Sequence, residues 1–155
     1  MSFRITGLPA ETFQKLFGLS DEELAAHGAV RRIADERQPG YPCRVSLTDS
    51  KAGDHLILVN YEHHAVASPY RMRFAIYVRE GDETYDAVDE VPEQLRKRTL
   101  AARAFDVDGM MVDRELIEGR DLEAAIKRLF ADPRAAYIHV HYAAAGCYAA
   151  RIERA

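Results

Sequence analysis

Cysteine is scarce in this chain: there are two, Cys43 and Cys147, among 155 residues. Two thiols do not make a disulfide framework, so the stapled secreted scaffolds are excluded. Long apolar runs are missing as well. The run LILV (56–59) falls far short of the roughly 20 residues that cross a bilayer. The opening residues, MSFRITGLPAETF, carry no apolar stretch of signal-peptide length. These absences predict a cytoplasmic protein that does not engage a membrane. A basic stripe is also lacking. The formal net charge is −4, and the densest basic run is RKR at 96–98. Nucleic acid is therefore not expected as a partner. No P-loop, dinucleotide fingerprint, H-E-x-x-H or EF-hand pattern occurs, so no cofactor is named by motif.

What remains is an ordinary globular composition, 48% apolar and 30% charged. The length fits one domain over residues 1–155 with a core of its own. Residues 3–7 are short and β-prone, and a short helix is expected over about 10–17. The next helix is sharply marked. Ser20 is followed three residues later by Glu23 in a capping box, Leu19 and Leu24 have staple spacing, and Gly28 supplies the stop. Strands are expected at 29–34, 43–47, 55–63 and 73–78, with 43–47 pairing 55–63 as a hairpin. LILV is apolar on both faces, so 55–63 should be central. The acidic stretch 80–90 reads as loop, and Pro92 opens a short helix to Arg98. Asp108-Gly109 predicts a type I′ turn between two strands. Residues 121–130 form an amphipathic helix, with Leu122, Ala125, Ile126, Leu129 and Phe130 on one stripe and Asp121 able to cap it. The sum is an α+β fold, mostly antiparallel sheet with a few short helices.

The closing stretch AAYIHVHYAAAGCYAARIERA holds His139, His141 and Cys147. Strand alternation puts Tyr137, His139 and His141 on one face and Ile138, Val140 and Tyr142 on the other. A three-residue loop, Ala144 to Gly146, pairs Tyr142 with Tyr148, Val140 with Ala150 and Ile138 with Ile152. That makes one face wholly apolar, whereas a four-residue loop opposes Ile138 to Arg151. The three-residue register turns Cys147 to the histidine face, with His141 about 7–8 Å away on the diagonal. His139 then lies opposite Arg151. Three readings follow: a metal site of His139, His141 and Cys147; a thiolate at Cys147 with His141 as base and His139 as orienting group; or polar-face histidines around a small buried cysteine.

Other residues add to this. In P-C-R (42–44), Cys43 alternates into the core, and Arg44 is either an anion clamp or a surface ion pair. Tyr70, after the fixed turn at Pro69, is a candidate pocket wall. His63 and His64, at successive strand positions, point opposite ways and make a poor chelating pair.

The segments P-C-R-V-S-L-x-D (42–49), L-x-N-Y-E-H (58–63), S-P-Y-R (68–71), D-G-M-M (108–111) and H-V-H-Y-A-A-A-G-C-Y-A-A-R-I-E-R (139–154) resemble a family of small bacterial proteins catalogued as a domain of unknown function. The resemblance spans nearly the whole chain and implies no activity, cofactor or partner. The functional expectation therefore rests on residues alone. It is a small-molecule site on the face of His139, His141 and Cys147, with Arg44, Tyr70 and Arg151 holding a small anionic ligand. The alternative is a binding or interaction module, a homo-oligomer included, with no chemistry at that face.

Overall fold

Two antiparallel sheets collect the chain. The computed structural model describes all 155 residues. Its strands are β1 (Phe3–Thr6), β2 (Ala29–Ile33), β3 (His55–His64), β4 (Met72–Arg79), β5 (Asp86–Val88), β6 (Thr99–Phe105), β7 (Met111–Glu118), β8 (Tyr137–Tyr142) and β9 (Tyr148–Arg154). Four short helices join them: α1 (Glu11–Gln14), α2 (Asp21–Ala26), α3 (Glu93–Arg96) and α4 (Leu122–Leu129). One sheet has the order β5-β1-β9-β8-β6-β7 and the other β2-β3-β4. The fold is α+β, and no helix is long and apolar enough to cross a membrane.

Local chemistry explains several elements. Ser20 accepts from the Glu23 backbone N–H at 3.2 Å, and Glu23 Oε1 accepts from the Ser20 N–H at 3.1 Å, which is the reciprocal box the sequence predicts. Gly28 ends the helix region at φ +65°. Ser20→Ala is expected to cost about 1 kcal/mol, read as a shift in the urea midpoint with an unchanged slope.

The layers follow from burial. α4 turns Leu122, Ala125, Ile126 and Leu129 inward, where they join Leu100, Ala102, Ile138, Val140 and Ile152 on one face of the large sheet. The opposite face carries Tyr137, His139, His141 and Tyr148 and meets the end of β3 at His63 and His64. All six residues of β8 are buried, as a strand covered on both faces requires.

Four expectations are corrected. Residues 43–47 are not a strand. β3 takes β2 and β4 as its neighbours, so its edges are occupied. The 42–49 segment instead curls, with Leu47 at φ +53° and Cys43 N–H donating to Thr48 O at 3.1 Å. Arg44 O and Val45 O accept from the backbones of Leu8 and Tyr85, which ties the curl to two other segments. The acidic 80–90 stretch contributes β5, paired to β1 and anchored by an Arg4–Asp86 ion pair. The β6–β7 connection is not type I′. It spans residues 106–110, only Gly109 takes positive φ, and Asp106 Oδ1 accepts from the Asp108 and Met110 N–H groups. Asp121 gives α4 no side-chain cap, because it lies in a 3₁₀ turn that already leads into the helix.

The closing hairpin uses both registers that the sequence allows. At its tip the loop has four residues, with Gly146 N–H donating to Tyr142 O and Tyr142 N–H to Cys147 O. Below the tip Val140 pairs Ala150 and Ile138 pairs Ile152, as the apolar pattern predicts. A bulge at Ala149 joins the two, since His141 pairs Tyr148 while Val140 pairs Ala150. Tyr148 thereby takes the histidine face, and Cys147 goes to the opposite face with Tyr142.

Candidate functional site: a four-histidine pocket between the sheets

β8 and β3 bring four imidazoles together. β8 supplies His139 and His141, which are 2% and 1% exposed. β3 supplies His63 and His64 at its end, where an irregularity between Tyr61 and His64 breaks simple alternation and turns both rings toward the large sheet. The expectation that these two point apart is thereby corrected. His63 lies 5.2 Å from His141 and 6.3 Å from His139, ring centre to ring centre. His64 lies 5.0 Å from His139. Tyr148 stacks on His63 at 5.1 Å and meets His139 edge-on at 5.0 Å.

Hydrogen bonds fix two of the tautomers. His64 Nδ1 sits 2.8 Å from Tyr70 O, which can only accept, so Nδ1 carries the proton and Nε2 accepts from Tyr137 Oη–H at 2.6 Å. His141 Nδ1 donates to Gly146 O at 2.9 Å, leaving the Nε2 lone pair facing Arg103 Nη1 at 3.5 Å. The other two rings are unsatisfied. Both nitrogens of His63 and Nδ1 of His139 are buried without a partner. Orphaned buried polar atoms are uncommon, and each calls for a reason.

Burial lowers the pKa of His63, His139 and His141. Desolvation is the largest cause at each of the three, with neighbouring imidazoles and Arg103 or Arg151 pushing the same way. His63 is lowered to about 4, His139 to about 2 and His141 to about 3. Arg103 enters from β6, where it pairs His139 across the ladder, and its guanidinium reaches His141 and Met72 Sδ but no carboxylate. The pocket has a volume of about 180 Å³. Pro69, Tyr70, Arg71, Met72, Phe105 and Met111 complete its wall beside the histidines and Arg103.

The predicted site residues divide. His139, His141 and Tyr70 line the pocket. Arg151 pairs with His139 in the ladder, yet its guanidinium lies 4.0 Å over the Tyr137 ring and pairs with Glu153 at 2.7 Å. Cys147 lies across the sheet, so the His139–His141–Cys147 ligand set and the Cys147–His141 pair do not assemble. No group of three or more His, Cys, Asp or Glu side chains is arranged to hold a metal ion.

Arg44 meets Cys147 instead. It is 2% exposed, and it donates to Tyr148 O (2.8 Å), Pro42 O (2.6 Å) and Cys147 Sγ (2.9 Å). The surface ion-pair reading of Arg44 is therefore corrected. Arg44 and Arg98 both stack on Tyr142, and with Cys147 they line an open cleft of about 460 Å³. Cys43 is in the core, as the alternation argument predicts. Arg44→Met is expected to cost about 3 kcal/mol, because two backbone carbonyls and a thiol lose their donor inside the fold. Equilibrium urea unfolding checks this, and a change under 1 kcal/mol would show those bonds to be dispensable.

Sequence reasoning missed His63, His64 and Arg103 as site members. The bulge that gathers the histidines leaves no pattern in H-H. Arg103 did leave one: a lone cation inside the small apolar run A-A-R-A-F of a strand covered on both sides.

An α+β protein with a histidine-lined pocket and no motif of known chemistry is one whose function is not established. The chain belongs to the family described as Protein of unknown function (DUF1203), whose model matches residues 40–154. That span contains the whole histidine pocket, Arg103, Arg44 and Cys147. No curated protein and no solved structure matches the chain.

Proposed function

We propose that the protein binds a small molecule in the pocket formed by His63, His64, Arg103, His139 and His141. One observation carries this reading. Three imidazole nitrogens, on His63 and His139, are buried with no hydrogen-bond partner in the wall of this pocket. A ligand that supplies their partners offsets a cost of about 1–3 kcal/mol for each unsatisfied group. The free thiols of Cys43 and Cys147 support a reducing, cytoplasmic setting for that ligand.

Nitrogen-15 side-chain spectra of the histidines test it. A library of acidic, basic and neutral fragments of up to eight heavy atoms is titrated into the protein. The expected result is a saturable shift of His63, His139 and His141 resonances by one chemical class. Fragments that move only residues around Arg44 and Cys147, or that move none of the histidines, would overturn it.

A further inference from the structure

Every charged group that lines the histidine pocket is basic or can become so. β3 offers His63 and His64, the turn before β4 offers Arg71, β6 offers Arg103, and β8 offers His139 and His141. No aspartate or glutamate is among the eleven lining residues. Glu62, next to His63 on β3, is taken by an ion pair with Arg71. Arg103 has no acidic partner at all, and burial lowers its pKa, the direction of a cation short of countercharge. A guanidinium in that position is matched by a planar bidentate anion.

Apart from Tyr70, the rest of the wall is apolar. Phe105, Met72, Met111 and Pro69 stand among the basic groups. The volume of about 180 Å³ is close to that of a cavity which accepts benzene, about 150 Å³. It therefore suits a ligand of about six heavy atoms.

We infer that the ligand is a small organic carboxylate, held by the Arg103 guanidinium and, once their covered rings turn toward it, by the N–H groups of His63 and His139, with a short apolar tail against Phe105, Met72 and Met111. The inference rests on the binding role proposed above and names its chemical class. Neutral imidazole has one N–H, so His63 and His139 each donate one bond to the carboxylate without charging. Tyr137 and Tyr148 support the rings from β8 and β9 without contributing charge to the pocket. Arg151, on β9 behind His139, is occupied with Glu153 and leaves the anion to Arg103. Inorganic phosphate shares the anionic chemistry but leaves the apolar wall uncovered.

Propionate, butyrate, pyruvate, butyramide and inorganic phosphate are titrated separately into the folded protein at pH 7, with histidine side-chain resonances as the readout. At least one of the three carboxylates is expected to shift His63 and His139 at concentrations at least tenfold below those needed for butyramide or phosphate. Arg103→Gln is expected to weaken that carboxylate at least tenfold, and Arg103→Lys to recover part of the loss. The carboxylate-to-amide ratio in the unaltered protein keeps the test independent of whether the variants fold. Equal shifts by butyramide and butyrate would leave the pocket as a binding site and overturn its anionic class. Phosphate binding without carboxylate binding would replace an organic with an inorganic ligand. Silence from all five, alongside fragments of another class that do shift the histidines, would overturn the carboxylate and keep the binding role. Silence from both panels would overturn both.

Discussion

Between pH 7 and pH 5 the protein is expected to lose about 4 kcal/mol of stability, from His139 and His141 alone. Each ring is held neutral in the folded state, with values of about 2 and about 3 against 6.5 for the ordinary group. In the unfolded chain both take up a proton as the pH falls through 6.5. Above 6.5 neither state is charged, and their burial carries no pH-dependent penalty. Below 6.5 the unfolded state binds more protons than the folded one, so stability falls with pH until the folded values are reached. At pH 5 that difference is about 2 kcal/mol for each ring. His63, lowered to about 4 but only half-buried, adds less, because solvent screens part of its shift. A domain of this size has about 5–15 kcal/mol in total, so mild acid is expected to bring it close to unfolding. The carboxylates with lowered values act below this window, which isolates the histidines. Urea midpoints at pH 7, 6 and 5, followed by circular dichroism, measure the slope. A flat profile would show that the rings accept protons in the folded state. Saturating carboxylate ligand is expected to flatten the same profile, since it supplies countercharge where the protons arrive.

Gly119→Ala is expected to abolish folding or to cost more than about 4 kcal/mol, a loss at the extreme for one substitution. A methyl group there would lie 1.8 Å from Leu95 O and 2.8 Å from Arg96 O. The neighbouring atoms are backbone, so no side chain can swing away. Gly119 N–H also donates to Arg98 O at 2.8 Å, which holds the end of β7 against α3. Opening that contact pulls Leu95 out of the core, where it is fully buried next to Leu122. Gly18 is the control. A methyl group at Gly18 meets nothing within 4 Å, and Gly18→Ala is expected to change stability by about 0.5 kcal/mol or less. Soluble yield and thermal midpoint of the two variants decide the matter. A folded Gly119→Ala within 1 kcal/mol of the original would show that α3 moves freely relative to β7.

Local signals were legible wherever a short stretch decides its own structure. The Ser20–Glu23 box, the stripe on α4 and the two-sided apolar run in β3 are each written in adjacent residues, and each is present. What escaped is non-local. Residues 42–49 look like a strand because Cys43, Val45 and Leu47 alternate. They curl because Leu8 and Tyr85 claim the carbonyls of Arg44 and Val45, and no pattern within the segment records that claim. Arg44 reads as a surface residue on the same alternation, and its burial against β9 follows from the curl. The histidine pocket was half legible: His139 and His141 share a face by simple period-two geometry. Their companions His63 and His64 arrive through an irregularity in another sheet. Cys147 lies on the other side of the sheet from the one the pattern predicts, because a single extra residue at Ala149 reconciles two loop lengths that the pattern alone sets against each other.

That extra residue has an effect on parity. Above Ala149 the even-numbered Tyr148 faces the imidazoles, and below it the odd-numbered Arg151 does. Adjacent positions near the tip of β9 therefore address separate chambers of the molecule. A change at 147 is felt by Arg44 and Tyr142 in the arginine-lined cleft, and a change at 148 by His63 and His139 at the histidine pocket. The thiol at 147 and the imidazoles touched by its neighbour Tyr148 are kept out of chemical reach of one another by the thickness of a sheet.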